Sequence, residues 1–135
     1  MSKKEIGYCL KNGFVPHYDG TVECSGFPQA PSANAIRRRG KVCILDFYAE
    51  QYWVSGTQLF IPSGAKLIVP KSCIPKEETT IPLIIGYVDR TLTNIYAQYE
   101  IVDSTINVNG EIIIPTVSTN YDIISINIKQ VGYEI

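Results

Sequence analysis

The sequence predicts an all-β fold, an antiparallel β-sandwich of jelly-roll type preceded by an irregular N-terminal arm, and three observations carry that expectation. Asn109-Gly110 separates the β-branched runs Thr105-Ile106-Asn107-Val108 and Glu111-Ile112-Ile113-Ile114, and Asn-Gly between such runs marks a two-residue type I′ hairpin in which both central residues take positive φ. Ile124-Ser125-Ile126-Asn127-Ile128-Lys129 alternates strictly, placing three isoleucines inward and three polar groups outward, as in an antiparallel sheet with one wet face. No window of about a dozen residues carries a helical period.

The individual elements follow from the same rules. Residues 1 to 40 hold Pro16, Pro28, Pro31 and the small-residue run Ala30-Pro31-Ser32-Ala33-Asn34-Ala35, where neither period persists; this stretch reads as an arm with one or two short strands at most, suited to contacting other subunits. From Lys41 the texture changes, and residues 41–135 read as the sandwich domain. Val42-Cys43-Ile44-Leu45-Asp46-Phe47-Tyr48 is rich in β-branched and aromatic residues and is the first strong strand. Thr57 to Ile61 stops at Pro62, and Lys66 to Val69 stops at Pro70, because proline cannot donate to a ladder. Ile81 to Asp89 is a further apolar run, and Ile95, Ala97, Tyr99 and Ile101 share one face of the next.

Length and composition narrow the function. A chain of 135 residues that is 45% hydrophobic and 19% charged is one globular domain able to bury a core. A net charge of −1 gives no reason to expect nucleic acid as a partner. No run approaches the roughly 20 apolar residues that span a bilayer, and Met1-Ser2-Lys3-Lys4-Glu5 lacks the apolar stretch of a secretion signal, so a soluble chain without membrane insertion is expected. Cys9, Cys24, Cys43 and Cys73 form no Cys-x-x-Cys pair; free, mostly buried thiols are expected, with no metal site and no cofactor.

The search for chemistry returns little that is catalytic. His17 is the single histidine and, lying in the arm, reads as an exposed loop residue rather than a general base. Glu77-Glu78 reads as a solvated turn, and Thr105 and Thr116 stand where a calcium loop would need acids. Arg37-Arg38-Arg39-Gly40-Lys41 reads as a solvated or subunit-contacting junction. A non-enzymatic protein is therefore expected. The aromatics are more informative: Tyr48, Tyr52 and Trp53 lie in and just after a strand, and rings of this kind stack on sugars or fill interfaces. With Asp46 they form one expected ligand-binding loop, residues 46 to 53; Asp89 and Arg90 head a second, residues 89 to 94.

Several elements in order carry a resemblance: Arg39-Gly40-Lys41-Val42, Gly56-Thr57-Gln58-Leu59-Phe60-Ile61-Pro62 with Gly64 and Pro70, Ile81-Pro82, Tyr99-Glu100-Ile101, Ile106-Asn107-Val108-Asn109-Gly110-Glu111-Ile112, and Tyr133-Glu134-Ile135. In this order the C-terminal two thirds of the chain resemble the β-sandwich domains at the ends of bacteriophage tail fibre, receptor-binding and baseplate proteins. The resemblance implies a virion protein of tail or baseplate, made in the bacterial cytoplasm, that forms homotrimers, contacts other tail proteins and binds host-surface saccharide. The stalk such proteins carry ahead of the domain has no counterpart here. The alternative is a monomeric, lectin-like carbohydrate-binding module of a bacterial surface system.

Overall fold

The structure is a computed structural model that describes residues 5–10, 13–91, 96–117 and 120–135, with side chains from residue 17 onward. It is all-β. The strands are β1 (Glu5–Leu10), β2 (Gly13–Gly20), β3 (Glu23–Ser25), β4 (Ala33–Arg39), β5 (Val42–Glu50), β6 (Trp53–Val54), β7 (Thr57–Gln58), β8 (Lys66–Ile68), β9 (Thr79–Asp89), β10 (Gln98–Ile106), β11 (Glu111–Ile113) and β12 (Tyr121–Glu134), with one 3-10 turn at Lys71–Cys73. Ten strands join one antiparallel sheet in the order β1-β2-β4-β5-β12-β9-β10-β11-β8-β3, and β6 pairs only with β7.

The order shows how the sheet is shaped. β2, second from one end of it, and β3, at the other end, are separated in the chain by Thr21 and Val22 alone. The sheet must therefore curl until its two ends nearly meet, which makes it sandwich-like, with one face enclosed. Asn34 on β4 fastens this corner: its side-chain oxygen accepts from the Val22 N–H at 2.8 Å, and its amide donates to the Val22 carbonyl at 2.8 Å. Val22 is buried, so without Asn34 both backbone groups would lack these bonds in a place where that is costly.

The enclosed face is built by alternation. Cys43, Leu45, Phe47 and Ala49 of β5, Ile81, Leu83 and Ile85 of β9, and Ile126 and Ile128 of β12 form one cluster with Leu67, Ile106 and Ile112 from the other end of the sheet. Phe27 meets Phe47 edge-on, with centroids 6.0 Å apart. Pro82 is tolerated inside β9 because β12 pairs with β9 only from Ile84 to Asp89, so no partner on that side needs its missing N–H.

Three expectations change. The region before residue 41 carries β1 to β4, and β4 pairs with β5 from Ala33↔Tyr48 to Arg39↔Val42; prolines and glycines hid the pattern because they sit both within these short strands, as Gly7 and Pro16 do, and in the turns between them. The Asn109-Gly110 hairpin is present, but its turn is not type I′. Gly110 donates to the Asn107 carbonyl at 2.9 Å, only Gly110 of the pair has positive φ (82°), and the Asn107 side chain accepts from the N–H groups of Asn109 and Glu111. This is a type I turn closed by a left-handed glycine. Finally, β12 does not alternate throughout. Its register shifts against β9 between Ile123 and Ser125 and against β5 between Ile128 and Val131, the second shift taken up by Gln130 at φ 51°. An extra residue reverses which side chains face inward. Ile123 thus joins the core, whereas Ile124 is buried outside it.

Two cations of the basic run, Arg38 and Arg39, hold strands together. Arg38 donates to the carbonyls of Gly40 at 2.8 Å and Ser72 at 2.7 Å, tying β4 to the 3-10 turn, and Arg39 pairs with Asp19 at 3.1 Å. Cys24, Cys43 and Cys73 are free thiols, the last two buried; the Cys9 side chain lies outside the described residues.

Candidate functional site

The β12 bulge is the base of the site. Two consecutive carbonyls there accept from one segment: Ile124 from the Gln51 N–H and Ile123 from the Ile61 N–H, both at 2.7 Å. These bonds clamp both ends of the segment 51–61 to β12. Within it, β6 and β7 pair as Val54↔Thr57, joined by Ser55 and Gly56 at φ 51° and 80°. Positive φ at both central residues makes this the type I′ hairpin. Gln58 holds its lower end, donating to the carbonyls of Gln51 at 2.8 Å and Leu59 at 2.7 Å.

The hairpin overhangs a groove of about 270 Å³ lined by Trp53, Gln58, Val88, Arg90, Ala97, Asp122 and Ile124. Val88 stands opposite Asp122 in the β9–β12 ladder and is buried outside the core, like Ile124. The floor is apolar, Trp53 stands at the rim with 64% of its surface exposed, and Arg90 approaches Asp122 at 3.5 Å. A flat ring, an apolar floor and a few convergent polar groups are the ordinary make-up of a small-ligand site.

Beside the groove, the register sets Glu50, Ser125, Gly86 and Tyr99 in one row across β5, β12, β9 and β10. Tyr48 donates to Glu50 at 3.0 Å; burial together with this bond and the Glu50 charge pushes the Tyr48 phenol up to about 12. The Glu50 charge also raises Tyr52. Tyr99 lies over Gly86, where a Cβ would meet its ring at 2.8 Å.

Of the residues expected to bind ligand, Trp53 and Arg90 line the groove together. Tyr48 and Tyr52 gather around Glu50 next to it. Asp46 lies on β5 opposite Ala35 and is not part of the lining. Asp89 is turned to its own loop, accepting from the N–H of Thr91 at 2.9 Å and its hydroxyl at 2.6 Å, bonds that hold its carboxyl below the usual range. Residues 92–95 of the second loop lie outside the described residues. His17, expected in an exposed loop, is buried in β2 with Nε2 at 3.1 Å from Asp19. Glu77 and Glu78 are exposed.

Sequence reasoning missed Gln58, Val88, Asp122 and Ile124. The adjacent pair Ile123-Ile124 was the available signal, since two neighbouring apolar residues cannot face the same side of a regular strand. Compared with models of known protein families, with curated proteins and with solved structures, the chain matches none. No group of three or more His, Cys, Asp or Glu lies together among the described residues, and none of their helices is long and apolar enough to cross a membrane.

Proposed function

We propose that the chain is a non-catalytic adhesion module that binds saccharide in the groove beneath Trp53. The observation that carries this reading is the company Trp53 keeps. Its exposed indole faces a groove whose polar lining is a guanidinium, a carboxylate and an amide. An indole face packs on the C–H face of a pyranose, the carboxylate accepts from sugar hydroxyls, and the guanidinium donates. Among the described residues the lining holds one carboxylate, Asp122, whereas most glycoside hydrolysis uses two facing carboxyl groups; this favours binding over cleavage. Screening the protein on an array of bacterial surface glycans tests the reading, with hits confirmed by calorimetry. Trp53→Ala is expected to abolish binding with the circular dichroism unchanged. Binding that survives this substitution, or no glycan bound at millimolar concentration, refutes it.

A second reading, a jelly-roll-like tail or baseplate component that assembles as a homotrimer, is favoured by a different observation. Tyr99 and Ile101 on β10 are 62% and 73% exposed on one face of the sheet, and neighbouring exposed apolar side chains mark interaction surfaces. Light scattering should then give a trimer that Ile101→Lys dissociates; a monomer for the unaltered chain rejects it.

A further inference from the structure

Two buried thiols stand apart from the groove and its chemistry. Cys43 lies on β5 with Arg38 of β4 opposite it on one side and Tyr133 of β12 on the other. Both neighbours reach the same 3-10 turn: the Arg38 guanidinium donates to the Ser72 carbonyl and the Tyr133 hydroxyl to the Cys73 carbonyl, each at 2.7 Å. The turn is thereby held at the level of Cys43, and the Cys73 thiol is in hydrogen-bond contact with the Cys43 thiol. Both cysteines are buried in the core cluster.

We propose that Cys43 and Cys73 form a covalent cross-linking site, converted to a disulfide when the protein meets oxidising surroundings. A disulfide forms without strain only where the two sulfurs can meet with the backbone in place, and thiols already in contact need only rotate. The oxidant is a small disulfide such as glutathione disulfide. One thiolate of the pair attacks it, forming a mixed disulfide and releasing one glutathione; the second attacks that protein sulfur, closes the Cys43–Cys73 bond and releases the other. The two protein thiols give up two electrons, the glutathione disulfide is reduced to two thiols, and both protons pass to the departing thiolates. The Cys73 hydrogen bond holds the Cys43 thiol below its ordinary value, which favours Cys43 as the first nucleophile. Access comes through the turn: it is three residues long and its Lys71 is exposed, so local opening uncovers the pair while the sheet stays paired. The bond closes a loop of about 30 residues, and that loop contains the clamped segment 51–61 with Trp53. A reducing cytosol keeps the thiols free, and an oxidising exterior closes the link. The cross-link does not depend on what the groove binds.

Glutathione disulfide at millimolar concentration, added to the folded full chain carrying Cys9→Ser and Cys24→Ser, tests the site, because only Cys43 and Cys73 can then react. Mass spectrometry should show a monomer lighter by two hydrogen atoms and free of bound glutathione, with peptide mapping joining Cys43 to Cys73. The Tm should rise by roughly 5–15 °C on oxidation and return when dithiothreitol is added; Cys73→Ala in the same background should abolish the rise. The unaltered chain, oxidised and mapped in the same way, decides the matter where these substitutions disturb the fold, and it too should join Cys43 to Cys73. Thiols that stay free even when low urea assists opening, glutathione bound without closure, pairing to Cys9 or Cys24 in the unaltered chain, or an oxidised protein no more stable than the reduced one would each overturn the proposal.

Discussion

Gly86 and Gly132 both lie in central strands of the sheet with ordinary backbone angles, yet alanine should act oppositely at the two positions. At Gly86 a Cβ would stand 2.1 Å from Ser125 Oγ and 2.8 Å from Tyr99 Cε1. Neither atom can stay in place, so the Ser125 hydroxyl must rotate and the Tyr99 ring must lift from the sheet. Overpacking of this kind costs about 1–3 kcal/mol. Alanine also restricts the unfolded chain, which returns about 0.4–1 kcal/mol where the backbone is compatible. The expected net loss for Gly86→Ala is about 1–2 kcal/mol, a fall in Tm of roughly 3–10 °C for a domain of this length. At Gly132 the nearest atom is the Cys43 carbonyl oxygen at 3.8 Å, an ordinary contact, so Gly132→Ala keeps only the gain of about 0.4–1 kcal/mol. Urea and thermal unfolding of the two variants measure the contrast, and Ser125→Ala combined with Gly86→Ala should recover part of the loss by removing the closest atom. Gly86→Ala as stable as Gly132→Ala, or a double variant no better than the single one, would refute the reasoning.

Asn34→Ala leaves the buried backbone N–H and C=O of Val22 without their side-chain partner and should cost about 2–3 kcal/mol in urea unfolding; a loss below about 0.5 kcal/mol would show that water replaces the amide. Gly110→Ala meets both a left-handed φ of 82° and the Ile74 side chain at 2.8 Å, so a loss of about 2 kcal/mol or more is expected, checked by thermal unfolding. Tyr48 holds its proton more firmly folded than unfolded, so its contribution to stability is complete below about pH 10 and is lost as pH rises through about 12. The stability difference between the unaltered chain and Tyr48→Phe should therefore shrink across that window, and a difference independent of pH there would be the contrary result.

The sequence carried the fold class through side-chain periodicity, and periodicity was legible wherever strands are regular, as in Val42–Glu50. It failed at β12, where two bulges reverse the inward face and only the adjacent pair Ile123-Ile124 marks the first of them. It failed again before residue 41, where strands of three to eight residues are too short for alternation to stand out among prolines and glycines. The turn chemistry was misassigned between two places: Ser55-Gly56 takes both positive φ values, while at Asn109-Gly110 only the glycine does, because the Asn107 side chain organises a longer turn. Trp53 and Arg90 were legible as site residues because their chemistry is local. Asp122 and Ile124 were not, since what brings them to Trp53 is the clamp of the segment 51–61 onto a bulge more than sixty residues away.

β12 lies between β5 and β9 in the middle of the sheet although it follows every other described strand in sequence. A ribosome adding about 5–20 residues per second has therefore released nearly all of the apolar strands before the one that joins them exists. Until Tyr121–Glu134 emerges, β5 and β9 each present an unpaired edge, and such edges invite pairing with other chains. Folding waits for Tyr121–Glu134, and nascent chains that stall before residue 121 should be held by chaperones or aggregate rather than form a smaller version of the domain.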